Sequence, residues 1–367
     1  MTTEIDLTPT PGGIADDALD VLVIGAGQAG LATAYHLRRA GSRFLVVDAG
    51  SEIGGSWRSR WDSLRLFTPA QYDALPGLTF PAPPDTYPTK DQVADYLQDY
   101  AARFDLPVLL SCAVERVVRT GDRFSVHTSQ GLLRARRVVV ATGPFQKPAV
   151  PAIGAGLGPD VVQLHSASYR NPSALPSGGV VVVGAGNSGR QIALELSETH
   201  AVTLAVGTGP LELPQRLLGR DLFWWLTRLG AINKTESSLV ARRMRARGDI
   251  VIGTPMRDLH AAGVDVRPRL TAASGGALTF QDGSTVTPAA VVWATGFRSD
   301  YSWIEIPGVM VDGKVAHRRG VTEVPGLYFI GLPWQHTRGS ALLGFVKDDA
   351  EWLVDQMSHE PAQHVAR

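Results

Sequence analysis

Two motifs of the form G-x-G-x-x-G constrain this chain more than any other feature: Gly25-Ala26-Gly27-Gln28-Ala29-Gly30, and Gly184-Ala185-Gly186-Asn187-Ser188-Gly189, which begins 159 residues later. Each follows a short apolar run, Asp20 to Ile24 and Val180 to Val183. A continuous apolar run ending in glycine reads as a buried parallel strand. Each motif then opens a stretch with helical spacing, Ala29 to Arg39 and Ser188 to Ser197. On its own such a motif is weak evidence, but between a strand and a helix it has a physical meaning. The first glycine permits the tight turn, the second lets the backbone approach a pyrophosphate, and the third lets the helix pack on its strand. The free N–H groups and partial positive charge of the helix start then face the phosphates. Two such units indicate an internal duplication of a fold unit and not a short-period solenoid. The expected fold is α/β, with two Rossmann-like dinucleotide-binding domains, the second inserted in the first.

The rest of the chain fits that frame. Arg43 to Val47 reads as a second buried strand, and it ends at Asp48, 23 residues after Gly25. An acid at that place accepts hydrogen bonds from a ribose diol. Residues 50 to 88 are irregular and rich in Gly, Pro and aromatics. Thr89-Lys90-Asp91-Gln92 fits a capping box, and Val93, Tyr96, Leu97, Tyr100 and Phe104 follow at the spacing of a core helix face. Residues 113 to 140 read as short strands with turns at Thr120-Gly121-Asp122 and Gln130-Gly131. In the second half, Val202 to Val206 is the next strand and residues 217 to 247 look mostly helical. The cluster Phe223-Trp224-Trp225 is read there as core rather than entrance. Residues 264 to 295 return to short strands, Gly326 to Ile330 is a strand, and Gly339 to Met357 is one helix.

Composition narrows the class. With 367 residues, the chain has room for two domains or three. Lys+Arg and Asp+Glu are equal at 35 each, so the chain lacks the overall basic excess that nucleic acid or an anionic membrane would require. Cys112 is the one cysteine, which excludes an intrachain disulfide and reads as a small buried hydrophobe. The segment 1–17 has no signal-peptide pattern and is expected to be a flexible tail. No apolar run is long enough for a membrane span. A cytoplasmic protein without a membrane or nucleic-acid partner is expected, and a homodimer is compatible with it. The nine histidines are scattered, so no metal is expected.

After Asp48 the chain carries Gly54-Gly55-Ser56-Trp57, continued by Arg58-Ser59-Arg60-Trp61-Asp62-Ser63-Leu64-Arg65-Leu66-Phe67-Thr68-Pro69. Two further apolar strands end in Ala141-Thr142-Gly143 and Ala294-Thr295-Gly296-Phe297. With these motifs the chain resembles the class B flavin-dependent monooxygenases, the flavin-containing and YUCCA-like enzymes and their short bacterial relatives, over about residues 20 to 355. The resemblance implies FAD at the first glycine motif and NADPH or NADH at the second. It places the Gly55-Ser56-Trp57 stretch along the flavin. Leu66 and Val114 stand as further expected contacts. The domains expected are residues 18–148 with 296–357 for FAD, and 149–295 for NAD(P)H with a helical insertion at about 215–250. The implied reaction passes a hydride to the flavin and adds dioxygen to give a C4a-hydroperoxide. A small-molecule soft nucleophile, sulfide or amine, then takes one oxygen atom. The cofactor supplies the reactive atoms, so no acid–base pair is nominated. Thr68 stands near the place where long-chain members carry a supporting Asn.

This sequence departs from the family pattern at the second site. The loop after the second strand, Val206-Gly207-Thr208-Gly209-Pro210, has no Arg or Lys for a 2′-phosphate and no acid for a 2′-hydroxyl. Relaxed choice between NADH and NADPH follows, with Thr208 as a ribose contact. Arg190 and Arg216 are distant candidates for a cation, each more simply read as a fold-back salt bridge or a solvated side chain. Of the family fingerprint between the two units only His165 and Tyr169 remain, and Tyr169 stands where Baeyer–Villiger enzymes carry Trp. His165 reads as a linker histidine bonded between domains. A disulfide reductase of this design needs a CxxC pair, which one cysteine excludes. An oxidase releasing hydrogen peroxide and an N-hydroxylating enzyme stay open as alternatives.

Overall fold

The computed structural model describes residues 19–207, 209–246 and 250–359. The segment 1–17, expected as a tail, and Thr208 lie outside the described residues. The first apolar run forms the strand Leu19–Ile24 at the centre of a nine-stranded sheet. It pairs in parallel with Phe44–Val47 on one side and Gly131–Val140 on the other. Val108–Leu109 extends the sheet beyond the first neighbour, and Leu327–Phe329 beyond the second. Val114–Thr120 and Arg123–Thr128 join as an antiparallel meander, turning at the two places where Gly121 and Gly131 supply positive φ. Side chains alternate across the central strand. Val21 and Val23 enter one core, beneath the helices Gln28–Arg39, Lys90–Arg103 and Val346–His359, while Leu22 and Ile24 enter a second core on the opposite face. The Thr89 capping box is present in full, and Val93, Tyr96, Leu97 and Tyr100 are buried as their spacing requires.

The second sheet has five strands, all parallel: Asp265–Arg267, Ala201–Ala205, Gly179–Val183, Ala290–Trp293 and Val162–His165. Its central strand also alternates, with Val180 and Val182 facing one core and Val181 and Val183 another. Two chain crossings join the sheets and run side by side. Lys147–Pro148 pairs antiparallel with Phe297–Arg298, the Ala149 N–H donates to the Gly296 carbonyl at 3.0 Å, and Thr295 Oγ1 donates to the Ala149 carbonyl at 2.7 Å. Among the described residues no helix is long and apolar enough to cross a membrane.

Two expectations about helices need correction. Residues 217 to 247 are only partly helical: a hairpin, Arg216–Leu217 with Arg220–Asp221, precedes the helix Leu222–Arg228, and irregular chain precedes the helix Leu239–Ala246. Gly219 takes positive φ in the hairpin turn, and Gly230 takes positive φ just past the first helix, where a left-handed residue ends a helical run. Phe223 is core as expected, whereas Trp224 and Trp225 are half-buried. The C-terminal segment is a 3₁₀ turn, Arg338–Ala341, followed by the helix Val346–His359. The break lies at Leu342, whose backbone is extended, and just beyond it Gly344 sits where a Cβ would lie 2.0 Å from the Tyr72 carbonyl oxygen.

Candidate functional site

The two glycine motifs fold alike because the same sterics act on each. Gly25 has φ of +110°, and a Cβ there would meet the Ala141 carbonyl oxygen at 2.6 Å. Gly184 has φ of +109°, and its Cβ would meet the Ala294 carbonyl oxygen at 2.4 Å. Each turn is therefore pressed against the ATG segment that ends the neighbouring strand. Gly30 and Gly189 sit where a Cβ would lie 1.8 Å from the carbonyl oxygen of Gly25 and Gly184 respectively, so helix and strand pack with no room for a side chain. Gly27 and Gly186 differ from these. A Cβ there meets nothing within 4 Å, which leaves an open cradle at the start of each helix. The cradle is what a pyrophosphate needs, and no internal packing explains it.

An open cleft of about 1150 Å³, mouth included, lies over the first motif. Its wall gathers Gly25, Gly27, Gln28 and Ala29 with Asp48, Ser56, Trp57, Ala141, Thr142 and Gly143, all expected as contacts. Ser188 of the second motif lines the same cleft, so the start of the second helix reaches the first site. The Asp48 carboxylate takes the Ala26 N–H at 2.6 Å and the Gly50 N–H at 2.7 Å, one on each oxygen. Each oxygen keeps a lone pair for a ribose hydroxyl. The Trp57 indole N–H points to Gln28 Oε1 at 3.4 Å, which joins the GG-S-W stretch to the glycine loop. Gly54 permits that approach: at φ of +80° it lies against Ala94, whose Cα would be 2.7 Å from a Cβ. Gly55 follows without lining the cleft.

Other expected residues lie elsewhere. Leu66 packs between a core of the first sheet and a core of the second, and lines a second pocket with Arg65, Glu195 and Gly253. Val114 packs under the first sheet's second core. Neither lines the main cleft, because the strand alternation and the turn at 63–67 direct them into packing. The Asn187 side chain is consumed structurally: its Nδ2 donates to the Ile250 carbonyl at 2.9 Å and its Oδ1 accepts from the Ile252 N–H at 3.0 Å. Gly184, Gly186 and Gly189 build the second loop, and Ala294, Thr295 and Gly296 form its crossing, outside the main cleft. Arg190 is buried, and it donates to the Ala185 and Thr254 carbonyls and pairs with Glu212 at 2.8 Å. That is the fold-back salt bridge expected of it. Arg216 is exposed.

Thr68 is buried and does not line the cleft; its hydroxyl donates to Asp73 Oδ1 at 2.6 Å. Asp73 is fully buried and its Oδ2 has no hydrogen-bond partner. Burial pushes its carboxyl up to about 8, against the lowering effect of the Thr68 hydroxyl. Tyr169 is also fully buried, and its hydroxyl donates to Glu195 Oε2 at 2.7 Å.

Sequence reasoning missed three residues at the junction. The Arg60 guanidinium lies 5.2 Å from the Phe297 ring centre and 5.6 Å from that of Phe145, and all three line the cleft. Burial lowers the Arg60 pKa, with Arg170 adding to the effect. The available signal was an aromatic residue within two positions of each ATG motif, at Phe145 and Phe297. A second cation was missed as well. A Cβ on Gly207 would lie 3.5 Å from the guanidinium carbon of Arg269, so an arginine approaches the 206–210 loop from the strand beside it.

Comparison with known proteins agrees with this geometry. Residues 22–217 match the family model described as pyridine nucleotide-disulphide oxidoreductase. An uncharacterized oxidoreductase, CzcO-like, from Geobacillus kaustophilus is 46% identical over 92% of this chain and 98% of its own length. Indole-3-pyruvate monooxygenase YUCCA8 of Oryza sativa is 30% identical over 91% of this chain and 90% of its own. Among solved structures, the flavin-containing monooxygenase from Stenotrophomonas maltophilia superposes with a TM-score of 0.79 at 32% identity, covering 93% of this chain and 98% of that one.

Proposed function

Because the chain belongs to the class B flavin-dependent monooxygenases, an oxidoreductase family that uses FAD and NAD(P)H, we propose that it transfers one oxygen atom from dioxygen to a small soft nucleophile, a sulfide or an amine. The observation that carries this reading is the shared cleft. Gly27, Gln28 and Trp57 from the first motif region and Ser188 from the second line one space, so two dinucleotides bound at the two loops would bring their reactive rings together there. Gly27 would pass the FAD pyrophosphate, Asp48 would hold the adenosine ribose, and Ser56, Trp57 and Thr142 would border the flavin. Bound there, the flavin supplies hydride acceptance and dioxygen activation. The chain supplies orientation and exclusion of water.

In this reading residues 18–148 with 296–357 are the FAD-binding part and 149–295 the NAD(P)H-binding part. The sheets support that division, since the nine-stranded sheet draws its strands from 19–140 and 317–329 and the five-stranded sheet from 162–293. The single cysteine, Cys112, is buried, which favours oxygenation over the disulfide chemistry in the family model's name. Either nicotinamide dinucleotide would serve, with a preference within about tenfold in kcat/KM, because the 206–210 loop carries no carboxylate and the cation that reaches it, Arg269, is exposed and screened.

The test is turnover of an aryl alkyl sulfide and, separately, of a cyclic ketone by the FAD-loaded protein with NADPH or NADH. Sulfoxide formed in step with reductant consumption is the expected result. Hydrogen peroxide as the sole oxygen product, or lactone as the main product, would overturn the proposal.

A further inference from the structure

The insertion on the second sheet presents a surface that the cleft does not use. Its hairpin turns at Leu218, which is 83% exposed and holds φ of +50°. A branched apolar residue rarely adopts that left-handed conformation, and this one holds its side chain out to solvent. Leu217 beside it is 46% exposed. The Trp225 indole N–H donates to the Leu217 carbonyl at 2.9 Å, and the Arg220 guanidinium lies 5.4 Å from the Trp224 ring centre, so hairpin and helix form one unit. Leu229, 69% exposed, follows Trp225 by one helical turn and lies beside it.

Charge on this unit is one-sided. Within residues 216–230 the charged side chains are Arg216, Arg220, Arg228 and Asp221. The three arginines are exposed. Asp221 is buried, where it caps the helix through the Phe223 N–H and accepts from Tyr87 and Gln215. The zero net charge of the whole chain averages over this local excess.

We propose that the tip Leu217-Leu218, with Trp224, Trp225 and Leu229 ringed by Arg216, Arg220 and Arg228, docks on the surface of an anionic phospholipid bilayer. The apolar tip would enter the headgroup boundary, the indole rings would lie at the interface, and the arginines would meet lipid phosphates. Among the described residues no helix is long and apolar enough to cross the bilayer, so the contact is with its surface. A second copy of this chain fits less well. A two-fold contact sets a patch against itself, and here that would bring three arginines against three arginines with no exposed acid within residues 216–230 to answer them.

The test is flotation of the full FAD-loaded protein with vesicles of phosphatidylcholine alone and of phosphatidylcholine with 30 mol% phosphatidylglycerol, at low and high salt. Binding to the anionic vesicles alone, reduced by salt, is the expected result. Each Arg→Gln change at 216, 220 or 228 should lower the partition coefficient about fivefold, and the triple change about a hundredfold. Leu218→Asp should abolish insertion while leaving the flavin spectrum and cofactor content unchanged, which separates loss of docking from loss of fold. Equal partition onto neutral and anionic vesicles, no partition onto either, or a dimer in solution that Leu218→Asp dissociates would each overturn the proposal.

Discussion

The imidazole Nε2 of His165 lies 2.9 Å from the carbonyl oxygen of Gly296, while its Nδ1 faces the backbone N–H of Ala167 at 3.1 Å. The amide can only donate, so Nδ1 accepts and the proton resides on Nε2, which donates to Gly296. His165 ends an edge strand of the second sheet, and Gly296 stands where the chain crosses back to the first. The neutral ring thus ties the crossing in place.

Burial lowers the His165 pKa below its ordinary value, the Gly296 carbonyl opposes that, and Arg60 adds to the lowering. In the unfolded chain this histidine takes a proton near pH 6.5. The folded chain resists protonation until lower pH, so the stability it contributes is full above about pH 6.5 and is lost as pH falls through the lowered folded value. His165→Gln keeps a donor and an acceptor without titrating. Its melting temperature should hold up better than that of the parent between pH 7.5 and pH 5. His165→Ala should lose about 1 kcal/mol at pH 7.5. A pH dependence identical in parent and Gln variant would refute the assignment.

Asp73 gives the opposite sign. Its folded carboxyl titrates at about 8 because burial penalises the charge, whereas an unfolded Asp titrates near 3.9. Between those values the folded state holds a proton that the unfolded state has released. The contribution of Asp73 to stability is therefore greatest below about pH 4 and falls by up to about 1.4 kcal/mol per pH unit until about pH 8. Asp73→Asn preserves the neutral shape and an oxygen for the Thr68 hydroxyl. Urea unfolding should show the variant stabilised over the parent by several kcal/mol more at pH 8 than at pH 5. Equal stability changes at both pH values would mean that the carboxyl titrates normally.

Why some of this was legible in sequence and some was not has a physical basis. The two βαβ units were legible because their signals are local: four or five apolar residues, a glycine whose φ must be positive, and a helix start in direct sequence. The capping box at Thr89 and Gln92 is likewise a local device, and both its bonds are present. What could not be read depends on contacts between distant segments. The C-terminal segment is interrupted at Leu342, and Gly344 just beyond it is pressed against Tyr72, 272 residues away in sequence. Asn187, read as a cofactor contact, is held by Ile250 and Ile252, 63 and 65 residues away. Leu66 and Val114 have the apolar character of contacts, but only the tertiary fold decides that they face packing rather than the cleft. Arg269 reaches the loop at Gly207 through strand pairing, which no window around residues 206–210 contains.

The paired glycines make a contrast that binding and folding assays separate. Gly27 has φ of −80° and an empty space where its Cβ would go. Gly27→Val should fold, with a melting temperature close to that of the cofactor-free parent, yet come out colourless because the side chain fills the pyrophosphate path. Gly30→Ala places a methyl carbon 1.8 Å from the Gly25 carbonyl oxygen, which forces helix and strand apart. It should lose several kcal/mol and largely fail to accumulate as soluble protein. Flavin released from the parent by heat should run as FAD in chromatography. A yellow Gly27→Val protein with full FAD content would place the pyrophosphate elsewhere.

The nicotinamide preference proposed above can be tested at Arg269. The strand Asp265–Arg267 runs parallel to Ala201–Ala205 with Arg267 opposite Ala205, and two residues further on Arg269 reaches the backbone of Gly207. A 2′-phosphate bound at this loop would meet that guanidinium. The side chain is exposed, and solvent and salt weaken such a contact to about 1 kcal/mol or less. The parent should thus use NADPH and NADH within about tenfold of each other in kcat/KM for flavin reduction at low salt. Arg269→Ala should lower kcat/KM for NADPH by about three- to fivefold and leave NADH within twofold. Added salt should shrink the difference between parent and variant, since it already screens the charge that the substitution removes. Thr208→Arg should raise NADPH use selectively if this loop holds the ribose. Equal losses with both dinucleotides on removing Arg269 would show a structural effect on the loop, and a parent preference above about a hundredfold would require a second cation at the 2′-phosphate.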